Sequence, residues 1–255
     1  HAFCEQKATT SCISLIQKYP KHTRLVNELS PVVTEEWGHF RLVIAEMEKR
    51  GMQLGEQRND EYVVALRKFQ KKDGSPAGWR IDADGAVTDI KGAGDLITKE
   101  AFGNCQLHIE FREPAEVKSS GQGRGNSGVY IMGKYEIQVL DSYNNPTYSN
   151  GQAGAVYKQH VPLVNASRKP GEWQSYDIIF TAPLFKENGD LESPARVNVI
   201  HNGVLIQNNV TILGTTDWVR KPVYKKHAAK LPLMLQDHGD DGNPISYRNI
   251  WIRNL

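Results

Sequence analysis

The apolar residues of this 255-residue chain change period once, near Lys72-Asp73-Gly74. Upstream they recur every three or four residues, the spacing of amphipathic helices. Downstream they alternate with polar residues in short runs closed by Gly, Asn and Pro, the spacing of half-buried strands. One stretch cannot satisfy both periods, so a helical segment over 1–72 and a β domain over 73–255 are expected. The length suffices for a sizeable core in one large or two smaller domains. Lys plus Arg number 31 against 29 Asp plus Glu. That near balance, with no long basic run, predicts no nucleic-acid partner. No apolar stretch nears the ~20 residues that cross a bilayer, so no membrane partner is expected either.

In the helical segment, helix one is expected from the start to about Lys18, stopped by Tyr19-Pro20. A second is expected with Ser30 as its N-cap and Pro31 at its first helical position. Arg50-Gly51 ends it, where Gly suits a left-handed cap. Within it Val33, Trp37, Phe40, Ile44 and Met47 make one apolar stripe. Asn59-Asp60-Glu61 opens a third helix running to about Lys72. Glu36-Trp37-Gly38-His39 places a carboxylate and an imidazole three residues apart on one helix face. In four-helix carboxylate proteins such a pair joins a lone Glu of a neighbouring helix to hold one side of a di-metal centre, and Glu5 is the candidate here. Solvated helix faces produce the same spacing without any metal. Cys4 and Cys12 would lie about 12 Å apart along one helix, beyond disulfide reach, and Cys105 falls in a strand. Three free thiols are expected.

In the β domain, strands are expected over Leu107–Arg112, Ser127–Met132, Tyr135–Leu140, Trp173–Thr181, Arg196–His201, Leu231–Gln236 and Tyr247–Arg253. Asn202-Gly203 is a hairpin turn of the strongest kind. Many antiparallel strands over some 180 residues indicate a sandwich or jelly roll. The run Ser120-Gly121-Gln122-Gly123-Arg124-Gly125 lacks the Lys-Ser/Thr ending of a phosphate loop and reads as a mobile surface loop. Parity sorts the side chains. His108, Glu110 and Arg112 share a face opposite Leu107, Ile109 and Phe111. Glu136 and Gln138 oppose Ile137 and Val139, while Gln236 and His238 oppose Leu233 and Leu235; Arg248 opposes Tyr247 and Trp251. Four strands carrying Glu, Gln, His and Arg on one face predict a polar binding cleft.

Two resemblances join these readings. His1-Ala2-Phe3-Cys4-Glu5-Gln6-Lys7-Ala8, Ser14-Leu15-Ile16, Tyr19-Pro20, Glu35-Glu36-x-x-His39-Phe40 and Met47-x-x-Arg50-Gly51 resemble the tRNA isopentenyl-adenosine hydroxylase family of ferritin-like diiron enzymes. The resemblance makes Glu5, Glu36 and His39 three iron ligands of that family. The chain lacks the second ligand-bearing helix pair, so the half-site is incomplete and iron is not expected there. Leu96–Glu100, Leu107–Arg112, Gly125–Tyr130, Tyr135–Asp141, Gly154–Tyr157, Gly171–Trp173, Asn202-Gly203, Leu235–Gly239 and Arg248–Ile250 resemble the 3-keto-disaccharide hydrolase family. That implies a concanavalin-like jelly roll, mainly β, behind an all-α segment that is a partial ferritin-like bundle. It also implies a periplasmic or secreted setting, although no signal-type segment is present in the chain, which begins at His1. The family's usual opening strand before Gly78-Trp79 is replaced by helix-like sequence, so the join reads as a fusion.

Glu136-x-Gln138-x-Leu140 lacks the paired carboxylates of an ordinary glycosidase strand. The resemblance suggests another route for a glycoside or 3-keto-disaccharide substrate: C2 proton abstraction beside the ketone, loss of the aglycone, then hydration. Glu136 or His238 would be the base. Arg248 and Gln236 would position the sugar, with His108 and Gln138 as further binding residues. Glu110 with His238 would alternatively hold one divalent ion. Tyr130 and Tyr157 would give the sugar an apolar face. Asp141, before a turn, suits a structural bond to backbone as well as a direct role. A non-catalytic carbohydrate-binding jelly roll is the main competing class, and a fragment of a tRNA-modifying diiron hydroxylase fused to a passenger domain is a third reading.

Overall fold

The computed structural model describes residues 2–54, 78–239 and 243–255. The period change at Lys72-Asp73 and the third expected helix lie outside the described residues. The chain divides into two compact units, His1–Val64 and Ala65–Leu255.

In the first unit α1 (Ala2–Lys18) and α2 (Thr23–Lys49) pack against each other across a four-residue link. The second helix starts eight residues before the expected Ser30-Pro31. His22 caps it, its Nδ1 accepting from the Leu25 amide at 3.2 Å. Pro31 is therefore interior, and Ser30 Oγ donates back to the Val26 carbonyl at 2.7 Å. The stretch Thr23–Ser30 is helix-competent, with an Arg24–Glu28 ion pair one turn apart, and it continues through a proline that would otherwise mark a boundary. The C-terminus is as expected: Gly51 has φ 65°, its amide donates to Glu48 and that of Met52 to Met47. These bonds close a Schellman cap.

The second unit is an antiparallel β sandwich of jelly-roll type. One sheet has the order β1 (Arg80–Ile81), β2 (Val87–Thr88), β13 (Ser246–Asn254), β4 (Cys105–Arg112), β7 (Gln174–Thr181), β10 (Arg196–His201), β11 (Val204–Thr211). The other is β3 (Leu96–Phe102), β12 (Leu231–Leu235), β5 (Asn126–Ile131), β6 (Tyr135–Leu140). A short pair, β8 (Leu184–Phe185) and β9 (Leu191–Ser193), stands apart. Asn202 and Gly203, at φ 52° and 82°, make the hairpin turn expected of them. Inward residues of both sheets form the core: Leu107, Ile109 and Phe111 face Val129, Ile137 and Val139. Each fully buried side chain of this size contributes roughly 1.5–3 kcal/mol.

Two core tyrosines cross from the seven-stranded to the four-stranded sheet. Tyr176 donates to the Gln138 carbonyl on β6 at 2.7 Å. Tyr247 donates to Ser127 Oγ on β5 at 2.7 Å, and Ser127 donates on to the Gln236 carbonyl at 2.6 Å. The outward face of the four-stranded sheet is thus fixed from behind by buried polar bonds.

Candidate active site

That outward face floors a cavity of about 630 Å³. Glu136 and Gln138 on β6, Tyr130 and Asn126 on β5, and Gln236 and His238 just after β12 line it, with Tyr157 at one side. Its remaining wall is Thr216–Arg220. Strand parity puts these side chains outward while Val129, Ile137, Val139 and Leu235 fill the core.

Glu136 is the chemical centre of the floor. Only 3% of it is exposed, and burial pushes its carboxyl up to about 7, opposed by the hydroxyl that Tyr130 donates to it. Its Oε2 is buried without a hydrogen-bond partner among the described residues. The same burial, with Glu136 beside it, raises the Tyr130 phenol well above its ordinary range. Room for the pair comes from Gly128: a Cβ there would lie 2.7 Å from both Glu136 Oε1 and Tyr130 Cε2. Tyr157, held by a 2.7 Å bond between its hydroxyl and that of Tyr148, also has its phenol raised by burial.

The amides form a second group. Gln138 Nε2 donates to Gln122 Oε1 at 3.2 Å and to Asn126 Oδ1 at 3.1 Å. Asn126 Nδ2 donates to the Gln122 carbonyl at 2.9 Å and approaches His238 Nε2 at 3.4 Å. With the amide so oriented, Nε2 of a neutral His238 accepts and Nδ1 carries the proton. Gln122 comes from the Gly-rich run, which is not the loose loop expected. Gly121–Gly123 is a 3-10 turn whose Gly121 amide and carbonyl both bond the Asn145 side chain.

Thr216–Arg220 holds the wall residues that parity reasoning missed. Thr216 Oγ1 accepts from the Glu136 amide at 3.0 Å, tying the segment to the floor. Asp217 accepts from the amides of Val219 and Arg220, and from Arg220 Nε at 2.7 Å. Those bonds lower its carboxyl to about 2. Nothing periodic marks this segment. The Asp-x-x-Arg pair bracketing a Trp outside any strand was its one legible signal.

Three expected site residues lie elsewhere. His108 and Glu110 on β4 and Arg248 on β13 face outward from the other sheet, across the core from the cavity. There His108 Nδ1 lies 2.7 Å from Asp177, Glu110 accepts from Arg248 Nε at 2.6 Å, and Arg248 stacks on Trp173 at 4.0 Å. Parity was right on β4, but on β13 a bulge at Asn249, at φ 48°, brings Trp251 to the same outer face as Arg248, stacked on His108 at 5.6 Å, where parity had set the two opposite. A sandwich also has two outer faces, and parity cannot tell them apart. Glu110 and His238 therefore cannot share a metal ion. Asp141 is a structural residue, bonded to Arg124 at 3.1 Å and to the Tyr143 amide at 3.2 Å. On α2, Glu36 Oε2 and His39 Nδ1 lie 3.8 Å apart, while the Glu5 side chain falls outside the described residues. No group of three or more His, Cys, Asp or Glu suited to a metal occurs among the described residues.

Residues 65–253 match the 3-keto-alpha-glucoside-1,2-lyase-like domain. The chain belongs to that family. A crystal structure of a protein of Parabacteroides distasonis, described as a "putative glycosyl hydrolase", is 53% identical to this chain. It superposes at a TM-score of 0.68 over 73% of this chain and 78% of that one. Both findings support a glycosidase-like role for the lyase-like domain. Residues 1–77 match the tRNA-(MS2IO6A)-hydroxylase family. A tRNA 2-(methylsulfanyl)-N(6)-isopentenyladenosine(37) hydroxylase of Pseudomonas putida is 37% identical over 69 residues, 27% of this chain. The chain spans about a third of that protein's length, 34%. The helical unit thus resembles part of such an enzyme, joined to a lyase-like domain.

Proposed function

We propose that the β unit cleaves 3-keto-glycosides by elimination and hydration, with Glu136 as the base. The observation that carries this reading is the buried Glu136 carboxyl, held near 7, with one oxygen unpartnered in a polar cavity. A base is most effective when its pKa lies near the working pH. The ketone at C3 acidifies the C2 proton, so a single carboxylate suffices. Glu136 takes that proton, and the C2–H electrons pass into the enolate. As the ketone re-forms, the C1–O bond breaks, leaving a C1=C2 double bond and an aglycone oxygen that takes a proton from solvent water. The hydroxide so formed adds at C1, and Glu136, its proton exchanged with solvent, protonates C2, giving the 3-keto sugar and an ionised Glu136. The Gln236 amide is the donor available to the enolate oxygen, since both Gln138 Nε2 hydrogens and the Tyr130 hydroxyl are already engaged.

The cavity's second carboxylate does not suit a two-carboxylate mechanism. Asp217 is ionised down to about 2 and both its oxygens are engaged within its own loop, so it carries no proton to deliver.

The reading is tested by incubation with a 3-keto-glycoside and its 3-hydroxy counterpart in D2O. Aglycone release from the 3-keto substrate alone, with deuterium at C2 of the released sugar, is expected. Equal release from both, or release without C2 label, would exclude it. Saturable binding without release would instead support a carbohydrate-binding module.

A further inference from the structure

The cavity has two chemically different halves. Its floor presents Glu136, Gln138, Asn126, Gln236 and His238, all able to exchange hydrogen bonds with a sugar. On the opposite rim the polar atoms are largely spent on the loop itself: Asp217 on Val219 and Arg220, and Thr216 Oγ1 on the Glu136 amide. What that rim turns to solvent is the Trp218 indole, 77% exposed, and the Val219 side chain, 70% exposed. This display is held in place. The loop is pinched at its neck, where Thr215 donates to the Val223 carbonyl at 3.1 Å and Gly214 lies against the Val223 backbone. Gln159 clamps the same neck, accepting from the Leu213 amide at 2.7 Å and donating to the Gly214 carbonyl at 3.1 Å. Ordering an exposed indole and an exposed valine against water brings the free protein no burial, so a ligand is the natural partner for them.

We propose that Trp218 and Val219 form the leaving-group subsite, and that the aglycone it prefers is a planar aromatic ring and not a second sugar. The inference rests on the reading of the floor as the seat of the 3-keto sugar. A second pyranose carries hydroxyls around its edge, and each one desolvated at the rim needs a partner. Beyond the outer nitrogens of Arg220 and the Trp218 indole N–H, the rim has little to offer them. An aromatic ring needs no such partners. It gains stacking on the indole and attraction to the Arg220 guanidinium.

The test compares kcat/KM on phenyl 3-keto-glucoside, methyl 3-keto-glucoside and a 3-keto-disaccharide. Trp218→Ala is expected to lower the phenyl value at least ~10-fold more than the methyl value, chiefly through KM, with Trp218→Phe restoring most of the difference. Trp251→Ala, which removes an exposed indole from the opposite outer face, is the control and is expected to leave the three values unchanged. Equal losses on phenyl and methyl substrates, or the largest loss on the disaccharide, would overturn the subsite. If the unaltered protein turns over none of the three, the reaction assigned to the floor fails, and calorimetric binding of phenyl glucoside then decides the subsite separately. A dissociation constant weakened about 10-fold or more by Trp218→Ala sustains it, and an unchanged one overturns it.

Discussion

At the scale of single residues the site turns on one carboxyl taken out of water. Desolvation disfavours the charged form of Glu136, and the Tyr130 hydroxyl recovers part of that cost, so the group titrates near 7. As the base it works only when ionised. kcat/KM is therefore expected to fall about tenfold per unit as pH drops below 7. Glu136→Gln is expected to lower kcat by roughly 10²–10⁴ and to abolish that acid limb. A pH–rate profile of both proteins checks this; an acid limb that survives in the variant would assign the base elsewhere. Glu136, Gln138, Gln236 and His238 were legible in the sequence because a strand's side chains must alternate, and Ile137, Val139, Leu233 and Leu235 fixed which way was in. The raised carboxyl was not legible. It depends on Gly128 across the ladder, which leaves the space that Tyr130 and Glu136 fill together.

At the scale of elements, strands supply the floor and connecting segments supply the walls. The seven expected strands were readable to within two residues at each end, as was the Asn202-Gly203 turn, whereas β3 (Leu96–Phe102), β11 (Val204–Thr211) and the two- and three-residue strands were not among those expected. The walls were not, because Gly121–Gly123 and Thr216–Arg220 take their shape from single side-chain bonds and not from a period. The start of α2 escaped for a related reason: Ser-Pro marks a favourable helix start, yet residues upstream extended the helix past it. The neck of the 214–223 loop gives this scale its own test. A Cβ at Gly214 would run into the Val223 backbone, which cannot yield as a flexible side chain would. Gly214→Ala is expected to cost about 1–3 kcal/mol of stability and to raise KM more than it lowers kcat. Thermal unfolding alongside steady-state kinetics measures both; an unchanged KM would detach the loop from the site.

Across the whole molecule, buried titratable groups tie stability to pH. Glu113 accepts both hydrogen bonds of the Gln174 amide, and burial pushes its carboxyl up to about 8. His201, bonded to the same glutamine at 2.9 Å, is pushed down to about 4. A carboxyl raised on folding favours the protonated native state, so its stabilisation is complete below the ordinary 4.5 and is lost as pH rises through about 8. A histidine lowered on folding acts oppositely: its contribution is present above the ordinary 6.5 and is lost as pH falls toward 4. Above 6.5 the loss from Glu113 is no longer offset by His201. Stability is therefore expected to decline from pH 6.5 to 8, with a slope approaching about 1.4 kcal/mol per unit from Glu113 alone. Urea unfolding across that range measures it, and Glu113→Gln is expected to flatten the slope whatever it does to the absolute value. A slope unchanged in the variant would place the responsible proton on another group.

The two tyrosines that reach through the core have a mechanical meaning as well. Tyr176 and Tyr247 are rooted in one sheet and bonded into the other, Tyr176 to the Gln138 carbonyl on β6 and Tyr247 to Ser127 on β5, which passes the bond on to the Gln236 carbonyl. Any sliding of one sheet over the other would drag on those strands before it exposed the core. The cavity floor thus works as a gauge of how the two sheets are aligned. Heat or a distant core substitution that lets the layers creep would be felt there first, as lost turnover in a protein still folded.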